Sequence, residues 1–122
     1  MAKRTPLGRL DDMLDAINSI ENFMMASTLE SFISDRKSKL AVERCLEIVS
    51  EASRHIPPDL TARYPQISWT DVRAIGNRIR HEYDRIDDVI IWKTATISVS
   101  ELKPVIQAMI ANLEAGTQEP HP

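Results

Sequence analysis

A chain of 122 residues with a formal net charge of −3 is one domain of ordinary size, able to bury a modest core without metal or disulfide help. The acidic balance excludes a protein built as a whole for nonspecific nucleic-acid binding, so any such binding must come from a local patch. A single cysteine, Cys45, excludes an intrachain disulfide and a Cys-based metal cluster, and no apolar run reaches the ~18 residues that a membrane span needs. Scarce glycine, few aromatic residues and abundant Leu, Ile, Ala, Arg and Glu lean all-helical. The N-terminal Met-Ala-Lys-Arg-Thr-Pro is not followed by the hydrophobic region of a secretory signal, so the expectation is a single cytoplasmic domain over 1–122, with 1–6 and 117–122 as tails.

The first element is an amphipathic helix over 7–25. Leu7, Leu10, Met13, Leu14, Ile17, Ile20 and Met24 recur at helical spacing, with Asp11, Asp12, Asp15 and Glu21 on the other face. Residues 28–34 read as a short helix or a turn. A second long helix runs from about Ser34 or Asp35 to His55. Its apolar stripe, Leu40, Ala41, Val42, Cys45, Leu46, Ile48, Val49 and Ala52, is wide enough for a central position. Lys37, Lys39, Glu43, Arg44, Glu47 and Glu51 form its polar face, and Cys45 reads as a small core hydrophobe. Pro57-Pro58 stops the helix. Residues 59–67 make a connector with room for one helical turn. Ser68-Trp-Thr-Asp71 then reads as an N-cap with an acidic residue in the first turn, starting a helix over about 69–83. Asp87 or Asp88 caps 89–97, whose β-branched run resembles a strand but has no strand to pair with, so a helix is expected. Ser100 is expected to cap a last helix ending near Ala115, with Pro104 in its first turn and Gly116 as its stop.

The chemistry concentrates in Arg73-Ala-Ile-Gly-Asn-Arg-Ile-Arg-His-Glu-Tyr-Asp-Arg85. At about 100° per residue, Arg73, Asn77 and His81 share one stripe of the helix, flanked by Arg80, while Val72, Ile75 and Ile79 point to a core. Four arginines against Glu82 and Asp84 leave this segment locally cationic in an acidic chain. A solvated arginine face is the commonest meaning of such a run. Two residues argue for more. Gly76 in mid-helix costs roughly 1 kcal/mol relative to Ala, and a glycine there admits a neighbouring helix or a ligand. Asn77 is a poor helix former whose value is its hydrogen-bonding amide.

Neither a metal nor a cofactor is expected. His55 and His121 are not spaced to join His81 as ligands, the aspartates of the first helix suit a solvated face better than Mg²⁺, and there is no glycine-rich phosphate loop. Trp69 and Trp92 suit core or interface anchoring better than base stacking. Histidine with arginine and no metal fits cleavage of RNA by its own 2′-hydroxyl. The imidazole titrates near neutrality and can act as acid or base. The guanidinium, always charged, can steady the extra negative charge on phosphorus. A symmetric dimer that juxtaposes two such stripes would double the groups in one cleft.

From about Leu10 to Leu113 the chain resembles the HepT-like branch of the HEPN superfamily. The resemblance is carried by Ala41-Val-Glu-Arg-Cys-Leu-Glu-Ile-Val-Ser-Glu-Ala52, Pro65-Gln-Ile-Ser-Trp69, Gly76-Asn-Arg-Ile-Arg-His-Glu-Tyr83, Asp87 and Trp92. It implies an all-α, up-and-down bundle of four to five helices that dimerises around the motif helices. It also implies a metal-independent endoribonuclease toxin with the pattern Arg-x4-His-x-Tyr. The implied partner is a minimal nucleotidyltransferase antitoxin that adenylylates the motif tyrosine. His81 matches the family His, Tyr83 the Tyr, and Asn77 the Asn that commonly follows the Arg. The Arg position itself is Gly76.

The expected site is therefore His81 as general acid or base and Asn77 as its orienting group. Arg73 and Arg80 would replace the missing guanidinium, with Arg73, Arg78, Arg80 and Arg85 available to RNA phosphates and Tyr83 as the acceptor of AMP. The dimer interface is expected to include helix 69–83, with Gly76 permitting close approach. The rival reading is a non-catalytic HEPN protein, without the motif arginine, that binds RNA, a nucleotide or a nucleotidyltransferase.

Overall fold

The computed structural model describes residues 5–82 and 87–118. It is all-helical, with no strand among those residues: α1 Pro6–Met24, α2 Leu29–Ser34, α3 Arg36–Ser53, α4 Pro58–Thr61, α5 Trp69–Glu82, α6 Asp88–Lys93 and α7 Val99–Gln118. The apolar repeats set the packing. Leu10, Met13, Ala16, Ile17 and Ile20 of α1 are buried. They meet Val42, Cys45, Leu46, Val49 and Ala52 of α3, and Leu102, Val105, Ile106 and Met109 of α7. Helix α3 is central as its wide stripe requires, packing on both α1 and α5.

Local chemistry fixes the helix starts. Thr5 accepts from the Gly8 amide at 3.0 Å and Pro6 occupies the first turn of α1, where its missing N–H costs nothing. The ambiguous 28–34 stretch is a helix because Thr28 and Ser31 close a reciprocal capping box. Asp35 caps α3 through the Ser38 amide and hydroxyl, at 3.1 and 2.6 Å, and these bonds hold its carboxyl below the usual range. The connector contains one helical turn, α4. It is pinned by Trp69 Nε1 donating to the Tyr64 carbonyl at 3.0 Å and by Asn112 Nδ2 donating to Tyr64 Oη at 2.7 Å. Trp69 is thus a core anchor, and Trp92 stacks obliquely on Phe32 with centroids 5.7 Å apart.

Three expectations about the C-terminal part are corrected. There is no break at Ser100. Helix α6 runs through a π-helical turn, Thr94–Ser98, directly into α7. The Ser100 hydroxyl donates back to the Thr96 carbonyl at 2.8 Å, as Thr94 does to Ile90 and Thr96 to Trp92. Hydroxyls that bond one turn back satisfy a continuing helix rather than start a new one. Pro104 therefore lies inside α7. The helix also passes through Gly116, whose φ is not positive, so the left-handed conformation that would end it is not adopted.

Glu43 departs from the polar face expected for it. It is 7% exposed, and burial raises its carboxyl pKa against the partial relief of Lys39, with Asp88 and Glu47 adding to the rise and Arg36 opposing it. Lys39 itself pairs with Asp88 at the start of α6. Cys45 is buried, and desolvation pushes its thiol upward, which fits an inert core residue.

A carboxyl whose folded pKa lies above its unfolded value binds more protons in the folded state. Its contribution to stability is present below about 4.5, the ordinary value, and is lost as pH rises through the raised folded value. Glu43→Gln is expected to raise the thermal midpoint at pH 7 and to flatten the decline of stability above pH 4.5. Paired thermal melts from pH 4 to 8 check this; equal slopes for the two proteins would contradict it.

Candidate functional site

Helix α5 turns Trp69, Gly76 and Ile79 inward toward α3. The two helices approach closely at Gly76. A Cβ built there would stand 2.8 Å from Ser50 Oγ and 2.9 Å from Ser50 Cβ, closer than packed atoms tolerate. Ser50 is 1% exposed. Its hydroxyl donates to the Arg73 carbonyl at 2.8 Å and accepts from the Gly76 amide at 3.1 Å. One buried hydroxyl thus has both its donor and an acceptor lone pair satisfied, which keeps its burial inexpensive. The expectation that Gly76 admits a second subunit is corrected here: the space it leaves is filled by α3 of the same chain.

Arg80 lies one turn beyond Gly76 on the same side of α5, and helical side chains lean toward the N-terminus. Its Nη1 comes within 3.5 Å of the position a residue-76 Cβ would take. The guanidinium therefore reaches the place from which a motif arginine at 76 would project. Arg80 also lines a cleft of about 200 Å³ between α1, α3 and α5.

The other expected residues separate around the helix. Asn77 and His81 are exposed one turn apart, and neither side chain has a hydrogen-bond partner among the described residues. Arg73 is half-buried, contributing its carbonyl to Ser50. Arg78 points the other way. It pairs with Glu82 at 3.7 Å and lines a larger cleft of about 410 Å³ between α5, the π-helical turn and the start of α7, where Val72 and Ile75 are half-buried. Two positions apart on a helix means about 200°, so Arg78 and Arg80 serve different surfaces. Arg85 and Tyr83 lie outside the described residues. Among the described residues no group of His, Cys, Asp and Glu is arranged to hold a metal ion.

Sequence reasoning missed Ser50, although a small polar residue inside the apolar stripe of 40–52, facing a helix with a mid-helix glycine, is the available signal. It also missed Arg9 and Arg44, which join Arg80 only through the packing of three helices.

The chain matches the ribonuclease HepT-like family over residues 13–109. It belongs to that family. Among curated relatives it is 36% identical over 101 residues to "Probable ribonuclease HepT" of Thermococcus cleftensis, covering 83% of this chain and 92% of the relative. It is 32% identical over 114 residues to "Putative RNase MJ1216" of Methanocaldococcus jannaschii, covering 93% and 94%. No solved structure matches it significantly. No described helix is long and apolar enough to cross a membrane.

Gly76→Ala is expected to destabilise the protein by about 1–3 kcal/mol, the usual cost of overpacking, measured by urea denaturation. Ser50→Gly in the same chain should recover part of that loss by vacating the collision. Full stability of Gly76→Ala alone would mean that α3 and α5 are not held at this distance.

Proposed function

We propose that this protein is a metal-independent endoribonuclease of the HepT type, acting on RNA as a homodimeric toxin. The observation that carries the reading is the position of Arg80 in a HepT-like chain: its guanidinium passes over Gly76, one residue before an exposed His81. The 2′-oxygen of a ribose attacks the adjacent phosphorus while the bond to the 5′-oxygen breaks. The products are a 2′,3′-cyclic phosphate and a free 5′-hydroxyl. His81 takes the 2′-hydroxyl proton or delivers one to the leaving 5′-oxygen, and its counterpart in a second copy fills the other role. Arg80, with Arg73 beside it, neutralises the charge gathering on the non-bridging oxygens. Asn77 orients the ribose or the imidazole from one turn earlier.

Dimerisation is proposed through the open cleft beside α5, which the half-buried Val72 and Ile75 line along with residues of α3, the π-helical turn and α7. The cognate partner is a minimal nucleotidyltransferase antitoxin that transfers AMP to Tyr83. The bulky anion added there would block the cleft and offset the arginines.

One observation favours a second reading. The family's arginine position is Gly76, so a protein that binds RNA without cleaving it is the alternative. Incubation with RNA in EDTA separates the two. The first reading expects cleavage with cyclic-phosphate ends, a fall of about 10²–10⁴ in rate for His81→Ala, and a fall of about 10²–10³ for Arg80→Ala, both with little change in melting temperature. Binding without any product would establish the second reading.

A further inference from the structure

The cleft that receives Arg80 contains more than the proposed catalytic stripe requires. Arg9 of α1 and Arg44 of α3 line it as well, so three helices each contribute an arginine to the walls of one space of about 200 Å³. That is several times the roughly 30 Å³ occupied by a water molecule. The carboxylates of Asp12, Glu47 and Glu51 stand on the same walls. Even so, none of the three arginines forms an ion pair or a side-chain hydrogen bond among the described residues. The Nε of Arg9 is enclosed and has no acceptor among the described residues. An enclosed donor without an acceptor is costly, about 1–3 kcal/mol and more for a charged group.

We infer that this cleft is a phosphate subsite that holds an RNA phosphodiester away from the bond being cut. The inference rests on the RNA-directed reading above and extends it to residues of α1 and α3. Guanidinium groups suit the occupant because their forked donors match the two non-bridging oxygens of a phosphodiester. The neighbouring carboxylates set the strength. They relieve repulsion among the three cations in the empty protein and weaken the hold on any single free anion, so the site works on a phosphate already delivered by a strand engaged at His81. Arg80 belongs to both places. It reaches over Gly76 toward the reacting phosphate and forms one wall of the subsite, so the strand passes from the α5 face into the groove between α1 and α3.

The test uses the full chain carrying His81→Ala, so that RNA is bound and not consumed. A fluorescent single-stranded RNA of twelve nucleotides is titrated over a range of KCl concentrations, and a trinucleotide, too short to span both places, is titrated in parallel. For a single strand, each phosphate neutralised by the protein adds about 0.7 to the steepness of log affinity against log salt. Arg9→Gln and Arg44→Gln are each expected to lower the slope by about that amount for the twelve-mer, to leave the trinucleotide unaffected, and to keep the thermal midpoint within a few degrees. Arg9→Lys should retain the slope with a reduced affinity. Arg44, exposed on α3, keeps the test decisive if Arg9→Gln does not fold. An unchanged slope in Arg44→Gln, with the parent still binding, overturns the subsite alone. An equal effect on the trinucleotide overturns it too, by assigning these arginines to the reacting phosphate. Failure of the parent to bind either RNA overturns the RNA-directed reading and the subsite together. Inorganic phosphate that competes with the twelve-mer at micromolar concentration would show a free-anion site and overturn the strand-dependent one.

Discussion

The contact between Ser50 and Gly76 sets the distance on which the candidate site depends. A hydroxyl that bridges a carbonyl and an amide of the facing helix, across a gap no Cβ could share, holds α5 against α3 more closely than apolar side chains would. The bridge also fixes rotation. With Gly76 turned inward, Arg80 one turn later must lie along the seam, while Asn77 and His81, each one position further round, face outward. Both consequences follow from one small residue on each helix. Arg80 at the edge of the groove and His81 on the outer face, both exposed, are therefore placed relative to one another by backbone geometry.

That geometry changes how the missing motif arginine is understood. Were residue 76 simply a deleted arginine, its place would be empty or filled by chance. Instead the place is divided. The serine hydroxyl takes the space a Cβ would need, and the guanidinium of Arg80 arrives from the opposite end of its side chain. An arginine restored at 76 would collide with Ser50 before its charged end reached anything. The two positions are thus a matched pair, and the guanidinium that comes near position 76 starts one turn further along the helix.

Much of this is legible in the residues. The apolar repeats of 7–25 and 35–55 define α1 and α3 closely, because periodicity and caps are local and strong. The connector's single turn and the anchoring of Trp69 also follow from local chemistry. The errors have a common origin. Serine favours N-caps, so Ser100 reads as a helix start, yet a hydroxyl serves a continuous helix equally well by bonding backward. Glutamate is usually solvated, so Glu43 reads as part of a wet face, yet α6 covers that side of α3 next to the Lys39–Asp88 pair. In each case a local preference is overruled by what packs alongside. At the site, the stripe of Arg73, Asn77 and His81 is readable from angles alone. The role of Gly76 is not, because it depends on Ser50, 26 residues earlier.

The same reasoning explains why an acidic protein can gather three arginines around one groove. Charge on a helix face is arranged at intervals of three and four residues, so each helix can offer only one or two guanidiniums to a given point in space. Collecting three requires three helices to converge. Convergence happens here where α3 is drawn to α5 by the glycine–serine contact and to α1 by the apolar stripe. Arg9, Arg44 and Arg80 are far apart in sequence and ordinary in their local composition, with three carboxylates among them to keep the sum near neutral. A global count of charge averages such an arrangement away. What distinguishes it is that acids and arginines share the walls, yet among the described residues the three guanidiniums make no ion pair or hydrogen bond. The close packing of α3 and α5 therefore has two products, one on each side of the seam. It turns His81 out to solvent, and it leaves Arg80 directed into a groove whose other donors come from the helices that the packing has gathered.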